Sequence, residues 1–91
     1  MTGEVRNNAS LGRYELDVEG HTAVAYYQRS GGVVTFTHTE VPQELSGRGI
    51  GSRLAHGALD AVRAEGLKVA AKCPFMAAYI GKHPEYADLI Q

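Results

Sequence analysis

The chain has 91 residues, 44% hydrophobic and 21% charged, values that exclude a disordered chain and leave one folded domain burying about 60–65% of the surface its unfolded form exposes. Nine Lys and Arg against ten Asp and Glu leave a net charge of -1, which excludes the broad basic field of a general nucleic-acid or membrane-surface binder. The single cysteine, Cys73, excludes an intrachain disulfide, and with a polar start and no apolar run near the ~18 residues of a membrane span the expected location is cytoplasmic.

Residues 1–11 are polar, with Asn7 and Asn8 adjacent, and are expected to form a flexible, unpaired lead-in to a single domain over residues 12–91. From Arg13 to Glu19 apolar and charged residues alternate, the period-2 pattern of a strand that buries Tyr14, Leu16 and Val18. Glu19-Gly20-His21 reads as a tight turn, and Thr22 to Gln28, with Val24, Tyr26 and Tyr27, as the returning strand of a hairpin. The pair Gly31-Gly32 supplies the positive φ angles of a second hairpin turn. A third strand then runs from Val33 to about Val41, with Val34, Phe36, His38 and Glu40 on one face and Thr35, Thr37 and Thr39 on the other. Pro42 ends it, because proline cannot donate to the ladder.

From Gly49 to Glu65 the period becomes helical. Ile50, Leu54, Ala55, Ala58, Leu59, Ala61 and Val62 fall on one half of the wheel, while Ser52, Arg53, His56, Asp60 and Arg63 fall on the other. Gly66 stands where helices take a left-handed cap. Leu67 to Cys73 reads as a short strand, and Pro74 suits the first position of a second helix that runs to about Lys82 before His83-Pro84 breaks it. Strand, helix and strand make a β-α-β unit, which implies parallel strands joined by a right-handed crossover. The fold class is therefore α/β: a mixed, mostly antiparallel sheet with one β-α-β unit, one main helix and a short C-terminal helix.

Parallel strands put their carboxyl ends on one edge, where open α/β sheets bind ligands, and Glu40, Val41 and Cys73 are expected to meet there. At that edge lies Ser46-Gly47-Arg48-Gly49-Ile50-Gly51-Ser52. Glycines at every second position let backbone N–H groups approach a ligand closely, a helix start adds unpaired donors and a positive dipole end, and Arg48 adds a full charge. The pattern suits a diphosphate, and its rival reading is a tight turn with close helix packing. A Rossmann fingerprint fails, because the sixth position is Ser52 or Leu54 rather than glycine, and no Gly-Lys-Ser/Thr triplet supports a Walker loop. The four histidines show no paired metal-ligand spacing, so no metal site is expected.

At these residues the chain resembles the GNAT superfamily of N-acetyltransferases, whose acetyl-CoA loop follows Gln/Arg-x-x-Gly-x-Gly/Ala between a strand and a helix. Within it, Thr37-His38-Thr39-Glu40-Val41-Pro42, Cys73-Pro74-Phe75, Tyr79-Ile80 and His83-Pro84-Glu85-Tyr86 resemble the small single-domain members of bacteria and eukaryotes. Ser46 stands where the longer motif has Gln or Arg, and Glu19-Gly20-His21 leaves only a turn where larger members place helices around the acceptor. The resemblance implies acetyl-CoA as cofactor, held by Val41, Ser46, Gly47, Arg48, Gly49, Ile50, Gly51 and Ser52, and an amine acceptor that is a small molecule or a protein amine. It further implies Tyr79 as the acid that protonates the departing CoA thiolate, against a plain packing role for that tyrosine.

An amine with a reference pKa of about 10.4 must lose a proton before it attacks a thioester, and Glu40 at the strand end is the candidate base, against a solvated edge carboxylate. His38 is read as a core or relay histidine, with direct base chemistry as its other role. The backbone N–H near Val41 is placed to meet a developing oxyanion. Cys73, beside Lys72 and at a helix start, is open between a packed thiol, a pantetheine-channel residue and a nucleophile that accepts the acetyl group. The function expected is direct acetyl transfer to an amine. The alternatives are transfer through acetyl-Cys73, or a non-catalytic acyl-CoA-binding or protein-interaction module.

Overall fold

The structure is a computed structural model that describes residues 4–91, and its first strand lies in the stretch expected to be unpaired. β1 (Arg6–Asn8) pairs antiparallel with β2 (Arg13–Val18), Arg6 opposite Glu15 and Asn8 opposite Arg13. Polar side chains carry this pairing. The Arg6 guanidinium lies 2.7 Å from the Glu15 carboxylate and 2.5 Å from that of Asp17, and the Tyr27 hydroxyl donates to the Asn7 side-chain carbonyl at 2.6 Å. No hydrophobic period marks such a strand, which is why the lead-in reading fails over residues 6–8; residues 1–3 of that lead-in lie outside the described residues.

β2 turns into β3 (His21–Ser30), and β3 into β4 (Val33–Glu40), through two-residue turns. Both are left-handed throughout, with φ of 50° and 83° at Glu19 and Gly20, and 57° and 81° at Gly31 and Gly32. Primed turns of this kind match the twist of the flanking strands. Glu19 pays about 1–2 kcal/mol for a conformation in which its Cβ crowds the backbone. Tyr14, Leu16 and Val18 are buried, as their alternation requires.

β4 departs from simple alternation. Tyr26 lies opposite His38 while the next residue, Tyr27, lies opposite Phe36, so Thr37 is an extra residue without a partner across β3. A bulge of this kind reverses which residues face each side. Val34 and Phe36 point into the core, but His38 and Glu40, expected on the same face, turn to the other side with Tyr26 and Val24. Thr39, opposite Ala25, takes the inner face instead.

Beyond a 3₁₀ turn at Gln43–Leu45 comes α1 (Ile50–Ala64), which buries Ile50, Leu54, Ala55, Ala58, Leu59 and Val62, as its period predicts. Glu65 closes the helix and Gly66 follows at φ 71°. β5 (Lys68–Ala71) is parallel to β4 and completes the sheet in the order β1-β2-β3-β4-β5. It is shorter than the expected run to Cys73, because the N–H groups of Lys72 and Cys73 both turn to the Phe36 carbonyl at 3.0 Å. α2 (Pro74–Lys82) follows, then a 3₁₀ turn at Pro84–Leu89 whose Tyr86 hydroxyl donates to Asp60 of α1 at 2.8 Å. Both helices share one core with the inner face of the sheet.

The outer face carries ion pairs. Hydrogen bonds, from Arg13 above all, hold the Glu15 carboxyl below its usual range; Arg6 does the same for Asp17, and on the helix side Arg63 for Asp88. A carboxyl depressed in the folded state contributes stability above its unfolded value of about 4 and loses it as pH falls through the folded value. Thermal melts should therefore show a nearly constant midpoint from pH 7 to about 5 and a falling one below about 4. A midpoint unchanged at pH 2 would contradict the contribution of these pairs.

Candidate active site

The loop between β4 and α1 is anchored at both ends, since Leu45 and Ile50 are buried in the core. The Ile50 side chain thus faces inward, and its backbone alone borders the loop. Ser46 spends its side chain on the 3₁₀ turn: its N–H and its hydroxyl both donate to the Gln43 carbonyl, at 3.0 and 2.9 Å. Gly47 and Gly49 take φ of 78° and 69°, which a side chain would strain. Gly49 precedes α1 and accepts the Arg53 N–H at 3.1 Å, while no side chain caps the helix and no acidic residue stands in its first turn. The first-turn N–H groups of α1 are thus left without a side-chain partner, a fit for an anionic ligand.

Gly51 answers to packing. A Cβ there would lie 2.8 Å from Cζ of Phe75, whose ring covers the glycine from α2. The open alternative of close packing therefore holds at Gly51, while Gly47 and Gly49 face open space and are required by their φ angles. Arg48 is engaged by a residue that the sequence did not single out: its guanidinium donates to the Glu19 carboxylate on the β2–β3 turn.

Between β4 and β5 the parallel pairing ends at Phe36 and Ala71. Beyond it, among the described residues, the β5-side edge of residues 37–40 has no strand partner. Thr39 Oγ1 crosses this gap to Cys73 Sγ at 3.3 Å, and Cys73 as a residue is 3% exposed. Cys73 stands at the start of α2, as expected, its carbonyl accepting the Ala77 N–H at 3.0 Å. Val41, next along the chain, is half-buried against the core.

Tyr79 on α2 is 8% exposed and stacks on His83, ring centroids 4.0 Å apart and planes at 22°. Burial, reinforced by the Glu85 and Asp60 carboxylates, lifts its phenol above the ordinary value of 10, so it stays protonated at neutral pH. Two cavities, of about 680 and 220 Å³, share Tyr79 and Ser52 as common walls; Arg53 and His56 line the larger, Phe75 and Lys82 the smaller. His38 and Glu40 are hydrogen-bonded to each other at 3.0 Å on the open outer face, with Tyr26 stacked on His38. Among the described residues no cluster of three His, Cys, Asp or Glu is placed to hold a metal ion.

The structure thus brings Thr39 to Cys73 on the inner side of the β4 end and Tyr79 to Ser52 at the start of α1, and keeps Glu40 and His38 on the outer side. Sequence reading named Thr39, His83 and Phe75 only within motifs and Glu19 only within a turn, and gave none of the four a role in the site. The first was hidden by the bulge, whereas the pairs Tyr79 with His83 and Gly51 with Phe75 join separate segments and leave no periodic signal.

A family model described as GCN5-related N-acetyl-transferase matches residues 13–89. Protein NATD1 of Mus musculus is 39% identical over 72 residues, covering 76% of this chain and 66% of that protein; its Homo sapiens counterpart gives 39%, 76% and 64%. The chain spans a little under two thirds of the length of these curated relatives. The NMR solution structure of a GCN5-like protein from Staphylococcus aureus superposes with a TM-score of 0.73 at 25% identity, over 97% of this chain and 87% of that one. With the match running from the first residue of β2 to the last of the final 3₁₀ turn, and a superposition at TM-score 0.73 on a GCN5-like protein beside it, the chain belongs to the GCN5-related N-acetyltransferase family.

Proposed function

We propose that this protein binds acetyl-CoA and transfers its acetyl group directly to an amine. The observation that carries the reading is the junction of two features at one sheet edge: an uncapped helix start behind Gly47, Arg48 and Gly49, and the unpaired edge of β4 where β5 has turned away. The loop, from Ser46 to Ser52, would hold the diphosphate through backbone N–H groups and the Arg48 guanidinium. The open edge of β4 offers main-chain donors and acceptors to the amide-bearing pantetheine arm, in the manner of an added strand. Acetyl-CoA supplies the activated thioester.

On this reading the chain divides acid and base between the two sides of β4. Tyr79, protonated and buried on the inner side, donates the proton that the departing thiolate needs. Glu40, solvated on the outer side and supported by His38, takes a proton from the acceptor amine, directly or through water. The backbone N–H near Val41 faces the developing oxyanion. Cys73, packed against Thr39 and 3% exposed, lines the channel rather than attacking, which favours direct transfer over an acetyl-cysteine route.

Calorimetric titration with CoA tests the cofactor half. Arg48→Ala should weaken binding about tenfold, the loss of one charge-assisted contact. Wild-type protein that takes up no CoA at millimolar ligand would sink the reading.

A further inference from the structure

Arg48 stands between two left-handed glycines where the loop turns into α1, and its charge is already in use. It donates to Glu19, 29 residues away in sequence, at the tip of the β2–β3 hairpin. A second contact ties the same two segments, with His21 Nδ1 4.0 Å from Glu44 Oε1 just before the loop. The hairpin turn that carries Glu19 favours Gly, Asn or Asp at φ above zero, yet a glutamate occupies it at φ 50°. A side chain long enough to reach the loop is held in a backbone conformation that shorter ones adopt more readily.

We propose that Glu19 is an internal competitor for the anion loop: its carboxylate occupies Arg48 until the diphosphate of CoA takes the guanidinium over, so that this hairpin tip sets how tightly the cofactor is held. The inference rests on the loop being the diphosphate site. Binding then exchanges one charge-assisted pair for another, and the displaced carboxylate is left near a phosphate of like charge. Arg48 holds the Glu19 carboxyl below its usual range, so the competitor is anionic throughout the neutral range. Both partners are about half exposed, so the exchange is open to solvent and needs no rearrangement of the core.

CoA titrations of the wild type, E19Q, E44Q, R48A and the E19Q/R48A double variant decide it. E19Q should bind CoA about two- to fivefold more tightly, the range set by exposed ion pairs. E44Q should match the wild type, and with Arg48 absent the gain from E19Q should shrink. E19G, which removes the carboxylate and relaxes the turn together, should show the same tightening, so a loosened hairpin in E19Q cannot hide the effect. Binding that is unchanged or weaker in both Glu19 variants, or equally tightened by E44Q, overturns the competitor while leaving the diphosphate site standing. No CoA binding by any of the six proteins overturns both.

Discussion

Phe36→Ala is expected to cost about 3–5 kcal/mol of stability, as truncation of a buried aromatic does. Phe36 is fully buried, with Tyr14 and Tyr27 at ring-centroid distances of 6.0 and 6.4 Å. It also stands at the last register pair between β4 and β5, next to the bulge, and its carbonyl accepts two N–H groups from the chain leaving β5. The ring fills the centre of the core at the point where the sheet splits, so the cavity cannot be closed by a shift of one strand alone. Small domains hold only about 5–15 kcal/mol in total, and a loss of this size should lower the melting midpoint by more than about 10 °C. Phe36→Leu, which keeps most of the volume, should cost less than about 1.5 kcal/mol. Equal midpoints for Phe36→Ala and wild type in thermal melts would remove Phe36 from the centre of the core.

Tyr79→Phe should lower acetyl transfer by about a hundredfold or more while CoA affinity changes less than about twofold. The ring keeps its packing and its stack on His83, so only the hydroxyl is lost. An acid must be protonated to act, and the raised phenol value puts its loss of function above pH 10, on the far alkaline side. Transfer rates with an amine panel, measured for both proteins between about pH 6 and 10, should show a uniform drop for Tyr79→Phe. Full activity in the variant would return the tyrosine to a packing role and leave the thiolate to be protonated by water.

Much of this fold is legible along the chain. The alternation from Arg13, the glycine pair at 31 and 32, the helical stripe from Ile50 and the stop at Gly66 each follow from local periodicity or turn chemistry, and each element forms where those rules put it. β1 escapes because its pairing rests on Arg6, Asn7 and Asn8, polar residues whose role exists only once Glu15, Asp17 and Tyr27 are in place. The bulge escapes because nothing in a run of alternating Thr and larger residues distinguishes Thr37 from its neighbours; the register across β3 decides it. The glycine loop was visible as a motif, but the partner of Arg48 was not, since a turn tip and a loop 29 residues apart meet only through the sheet.

The single added residue at Thr37 makes the end of β4 a partition. One side carries the narrow, thiol-lined gap under Thr39; the other carries His38 and Glu40, both well exposed on a sheet face that no helix of the described chain covers. Among the described residues, a group presented to that side meets an open sheet face and not a walled cavity, so His38 and Glu40 are within reach of a large molecule as well as a small one.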